Sequence, residues 1–173
     1  MRISQYLYFR LQRESVTVAT ITAHLGVEPD RISVRGSKRS APPVPAFHSW
    51  AVVCRSPGLS LDDQAQRVLD RMAPVAGRVR ELVEEHDVDA TLTIVRYFDD
   101  EAGEDDASAA GVTPEEELFE RLPGQHQLLG WILPSESIEL LASMRAQICV
   151  DEYGRPNWHA NGGRRSLVGD IYA

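Results

Sequence analysis

HSWAVVCRSPGLSLDDQAQRVLDRMAPVAGRVRELVEEHDVDATLTIVRYF, residues 48–98, decides the fold, because it reads as strand, interrupted helix, strand. In HSWAVVCRS (48–56), Trp50, Val52 and Cys54 share one face and Ala51 and Val53 the other, the two-residue alternation of a strand. ATLTIVRYF (90–98) reads as a second strand. Between them Leu61, Ala65, Val68, Leu69 and Met72 form a stripe at helical spacing, continued by Val75, Val79, Leu82 and Val83. Ser60 opens this helix with Asp63 three residues on, resembling a capping box. Pro74 interrupts it; an interior proline removes a hydrogen bond and clashes with the preceding turn, costing roughly 3 kcal/mol. The spacing therefore predicts a kink, or two helices meeting there with Pro74 in the first turn of the second.

Toward the N-terminus, ISQYLYFRLQ (3–12) is rich in aromatic residues, and Ile3, Tyr6, Tyr8 and Phe9 fit a strand whose period slips near Leu7. A short helix follows. Ser15 or Thr17 can cap it, Val18, Ile21 and Leu25 share a face, Gly26 sits where a helix-terminating glycine belongs, and Pro29 blocks continuation. RISVRGSKR (31–39) predicts a short strand and APPVPAF (41–47) a loop.

Toward the C-terminus, DDEAGEDDASAAG (99–111) has six acids and no large apolar residue, and reads as a solvated loop. Thr113-Pro114-Glu115-Glu116 starts a short helix that ends near Leu122-Pro123-Gly124. HQLLGWILP (126–134) predicts a strand; Ser135 caps a helix with Ile138, Leu141 and Ala142 inward; ICVDEY (148–153) predicts a last strand. The order is β-α-β-β-α-β, a small helix, then β-α-β. Its first six elements predict an α+β fold, a ferredoxin-like split βαβ unit with an antiparallel sheet and helices on one face, extended by the C-terminal β-α-β block. Residues 1–153 are expected to form a single α+β domain, with 99–124 as an insertion and 154–173 as a C-terminal tail.

These pieces resemble a bacterial domain-of-unknown-function family, number 4279. They are YLYFRLQ, the helix running into LGVEP (25–29), RGSK (35–38), HSWAVVCRS, the proline-interrupted helix, and LGWILPSESIELLASMRAQICVDEY (129–153). The last carries the most specific features: Gly130-Trp131, a Pro/Ser-capped helix, and a strand ending Val150-Asp151-x-Tyr153. The resemblance implies an α+β fold and no activity. The APPVPAF loop, the acidic insertion and the tail depart from it.

Composition narrows the function classes. Eighteen basic residues against 26 acidic ones leave a net charge of −8, which argues against nucleic acid, whose phosphates need clustered cations. No apolar run reaches the roughly 18 residues of a spanning helix and no signal peptide is evident at the start, so the expectation is a cytoplasmic protein without membrane contact. The two cysteines, Cys54 and Cys149, are expected as free core thiols. No two of His24, His48, His86, His126 and His159 lie three or four residues apart, and no CxxC is present, so no metal or other cofactor is expected. Neither a G-x-S-x-G elbow nor a phosphate-binding glycine loop occurs.

One cluster stands out in this acidic chain. Arg31, Arg35, Lys38 and Arg39 lie on a predicted strand and turn, followed by His48 and Trp50. Arginines beside an aromatic ring can clamp a carboxylate or phosphate. Arg35, Lys38, Arg39, His48 and Trp50 are therefore the candidate binding residues. The competing reading pairs the arginines with surplus carboxylates and puts Trp50 in the core. The leading functional expectation is a non-enzymatic protein-binding module. One version is a toxin neutraliser of the immunity type, its contact surface the acidic residues 99–106 and Glu115–Glu117, where electrostatic steering would bring in a cationic partner. The rival is an enzyme, or a sensor of small molecules or anions, with a pocket at the five candidate residues. A homo-oligomer built through an exposed sheet edge or the tail is the third expectation.

Overall fold

Two βαβ units interleave to make the sheet. The computed structural model describes residues 2–56, 59–99 and 130–154. The first unit is β1 (Arg2–Arg13), α1 (Val18–Leu25) and β2 (Arg31–Ser33). The second is β5 (His48–Cys54), helices α2 (Leu61–Met72) and α3 (Ala76–His86), and β6 (Asp89–Asp99). Two-residue strands β3 (Arg39–Ser40) and β4 (Pro43–Val44) form a separate hairpin between the units. Helix α4 (Ser135–Ser143) leads into β7 (Gln147–Gly154). The sheet runs β2-β5-β1-β6-β7. Each unit keeps a gap between its own strands, and a strand of the other unit fills it. Pairing is antiparallel throughout except for β7, which joins β6 in parallel. The fold is thus α+β, as the element order predicts, and the C-terminal block extends the same sheet.

Cross-strand register sets the core. Leu7, Phe9 and Leu11 of β1 stand opposite Cys54, Val52 and Trp50 of β5 and opposite Ile94, Leu92 and Ala90 of β6. All nine are buried with Ile21 and Leu25 of α1 and the apolar stripes of α2 and α3. Tyr6 and Tyr8 alternate onto the opposite face. The expected slip of period near Leu7 is absent: the register is continuous, and the pleat sends Leu7 and Phe9 inward and the tyrosines outward.

Helix ends follow local chemistry. Thr17 Oγ1 accepts the Thr20 N–H at 3.2 Å, and Gly26, at φ 65°, closes α1 with its N–H on Thr22 O. Ser60 caps α2 by accepting the Asp63 N–H at 3.1 Å while its hydroxyl donates to the Asp63 carboxylate at 2.7 Å. At Pro74 the helix tightens into a 3-10 turn, Ala73–Val75, before α3 begins. This is the expected break, and it keeps Val75, Val79 and Leu82 inside.

The C-terminal block departs from expectation in three places. Residues 130–134 form no strand, and the remainder of that predicted strand, 126–129, lies outside the described residues. Ile132 N–H instead donates to Asp62 Oδ1 at 3.0 Å, and Trp131 and Leu133 lean on the core, so α2 holds this segment in place of a ladder. Pro134, not Ser135, occupies the cap position, and no side chain caps the helix. Its inward face is Ser137, Leu141 and Met144, with Leu140 partly buried, whereas Ile138 and Ala142 are exposed. Cys54 is a buried free thiol as expected; Cys149 is free but exposed on β7. Among the described residues no helix is long and apolar enough to cross a membrane. Asp99, expected to open the acidic loop, is the last residue of β6; the rest of that loop, the short helix after it and the tail beyond Gly154 lie outside the described residues.

Candidate functional site

The segment between β2 and β5 is a hairpin, folded by its own backbone. Ser37 N–H donates to Val34 O at 3.1 Å, and Gly36 sits at φ 73°, the left-handed position such a turn gives to glycine. Gly36 N–H reaches Pro45 O at 2.9 Å and Lys38 N–H reaches Val44 O at 2.8 Å. Arg39 then pairs with Val44 and Ser40 with Pro43. The predicted loop 41–47 therefore contains β4, and the predicted strand 31–39 shrinks to Arg31–Ser33. The outermost strand tolerates this. Proline cannot donate to a ladder, so a strand holding Pro43 belongs at a periphery.

A cleft of about 320 Å³ opens between this hairpin and β2, lined by residues 31–34 and, across from them, Ser37, Lys38 and Pro45. Consecutive strand residues point to alternate faces. A cleft that touches Arg31, Ile32, Ser33 and Val34 together therefore follows the outer edge of β2, not one face of the sheet. Its walls are mixed, with Ile32, Val34 and Pro45 beside Ser33 and Ser37, and Ile32 is 56% exposed. Arg31 and the exposed Lys38, the chain's single lysine, supply positive charge at its rim.

The five candidate residues go to different places. Arg35 and His48 meet, because the Arg35 N–H donates to His48 Nδ1 at 3.3 Å. The Arg35 guanidinium turns away from the cleft, donating to Ala46 O at 2.9 Å and to Glu14 Oε2 at 3.0 Å. Arg35 thus ties the hairpin to the chain after β1, as the carboxylate-pairing reading expects. Lys38 alone of the five lines the cleft. Arg39 contributes backbone to β3. Trp50 is fully buried between Leu11 and Ile32 in the sheet register, and its Nε1–H has no partner among the described residues. Ile32, Val34 and Pro45 are the apolar residues that line the cleft with Lys38. Their signal in the sequence was Ile32 and Val34 alternating at a sheet edge next to a proline-rich segment.

The opposite face of the sheet carries tyrosines, and no described helix contributes to it. Tyr6 stacks near Tyr8 at 6.2 Å between ring centroids, and Tyr97 on Tyr153 at 5.1 Å. Arg55 lies over Tyr6 at 4.9 Å and Arg10 over Tyr8 at 5.9 Å. Burial first, then the neighbouring Tyr97 and Tyr8 hydroxyls, push the Tyr6 phenol up to about 12; Arg55 opposes them.

The family described as Domain of unknown function (DUF4279) matches residues 3–155, and the chain belongs to it. No curated protein and no solved structure matches the chain.

Proposed function

We propose that this DUF4279 chain is a protein-binding module that receives an extended partner segment along the outer edge of β2. One observation carries the reading: two exposed apolar side chains, Ile32 and Val34, line with Pro45 a cleft that runs along β2, the strand beyond which no further strand lies among the described residues. Contiguous exposed apolar surface marks interaction sites. A strand edge offers backbone donors and acceptors to an added strand, while flanking pockets select its side chains. Lys38 and Arg31 at the rim fit a partner segment that alternates apolar residues with Asp or Glu. The toxin-neutralising version would place its cationic partner on residues 99–106 and 115–117, of which all but Asp99, the end of β6, lie outside the described residues.

Panning a library of displayed peptides against the chain tests this. Selected peptides are expected to be extended, apolar and acidic. They should bind Ile32→Asp or Lys38→Glu at least about tenfold more weakly, a loss of about 1.4 kcal/mol. Failure to enrich any peptide, or equal binding to Ile32→Asp, contradicts the proposal. The volume of the cleft favours a second reading, a small organic anion held by Lys38 over Ile32 and Val34. Saturable perturbation of these residues by benzoate, without peptide binding, would favour it.

A further inference from the structure

At the other edge of the sheet, β7 pairs with β6 from Gln147 to Gly154, and no described strand lies on its far side. Seven of its eight residues are exposed, all but Asp151. Ile148 and Val150 share the face that carries the core and stay 45% and 43% exposed. Cys149 is exposed on the other face. Long apolar edges invite pairing, and proteins usually blunt them with proline, lysine or a bulge. β7 has neither proline nor lysine, and its register with β6 is continuous.

We infer that β7 pairs antiparallel with β7 of a second copy of this chain across a two-fold axis, joining two five-stranded sheets into one. Length selects this occupant: the other edge strand, β2, has three residues, and another β7 matches all eight. Register selects it too. A two-fold axis perpendicular to the sheet and passing by Cys149 sets Ile148 against Val150 twice on one face. On the other face it sets Gln147 against Asp151 twice, with Cys149 meeting Cys149 at the centre. The apolar pairs cover each other, and each Gln147 amide can donate to an Asp151 carboxylate. The charged groups beside the strand keep partners in their own chain, Arg145 with Glu84 and Glu152 with Arg96, so the apolar pairs and the Gln147–Asp151 pairs carry the match. This pairing is independent of the β2 cleft.

Sedimentation of the full chain from about 1 to 300 µM tests it. The mass should double with concentration and stop there. Val150→Lys and Ile148→Glu should each remain at the mass of one chain with an unchanged circular dichroism spectrum. Diamide should then link the wild-type dimer, taking one hydrogen from each Cys149 thiol as the Sγ–Sγ bond forms; Cys149→Ser should dimerise without linking. Cys54 is buried and does not compete. A chain that stays single at the highest concentration overturns the inference. So does a dimer that both edge variants leave intact, or a mass that grows past two chains. A dimer that diamide fails to link overturns the register at Cys149.

Discussion

Trp50→Ala should lower the stability of the fold by about 4 kcal/mol. The indole has no exposed surface. A tryptophan buries roughly 200 Å², worth about 5 kcal/mol at 25 cal/mol per Å², and the retained Cβ keeps about 1 kcal/mol of that. Core Trp→Ala losses of about 3–5 kcal/mol agree. The Nε1–H moves the figure, because it has no partner among the described residues. An unsatisfied buried donor costs about 1–3 kcal/mol. Trp50→Phe removes that donor and keeps an aromatic ring, so it should cost less than about 2 kcal/mol. Urea unfolding followed by far-ultraviolet circular dichroism reads both variants as midpoint shifts at unchanged slope. A loss below about 1 kcal/mol for alanine would place Trp50 at the surface and restore it as a binding residue. A phenylalanine variant as damaged as the alanine one would show that the N–H is satisfied.

Two further outcomes follow from named contacts. The Tyr6 phenol, ordinarily near 10, is raised to about 12, so the folded state holds this proton where the unfolded chain loses it. Its contribution to stability is complete below pH 10 and is lost as pH rises through 10 to about 12. Ultraviolet titration should show a late tyrosine step that Tyr6→Phe removes, and an unchanged curve would refute the assignment. Asp30 Oδ2 accepts the Val53 N–H at 2.8 Å and pairs with Arg71. Both side chains are partly exposed, so Asp30→Asn, which keeps an acceptor, should cost about 1 kcal/mol. Asp30→Ala should cost about 2 kcal/mol by orphaning the amide; equal melting shifts would show that this amide bond contributes nothing.

Much of the fold was legible because its signals are local. Alternation in 48–56 and 90–98, the stripe from Leu61 to Leu82 and the break at Pro74 all map onto observed elements. The pleat of β1 was harder to read, because Tyr6 and Tyr8 on the outer face are as large as Leu7 and Phe9 on the inner one. Residues 130–134 misled because an apolar run does not specify pairing: Trp131 and Leu133 lean on the core, Ile132 stays exposed, and Asp62, distant in sequence, takes the Ile132 amide that a ladder would have used. The five candidate residues are close in sequence but the structure does not gather them into one site. Cations gather at the hairpin as the sequence suggests, but Arg35 is spent on Glu14 and Ala46, and Trp50 on the core. Which arginine meets a carboxylate depends on where Glu14 comes to lie, and one-dimensional spacing does not encode that.

The β2 cleft is tested most directly by a photo-crosslinking residue at position 34, expressed in the native host beside a control carrying it at the exposed Gln66 on α2. The account predicts a discrete protein adduct from position 34 that Gln66 does not give and that Ile32→Asp abolishes. No adduct from position 34, or the same adduct from both positions, would contradict it.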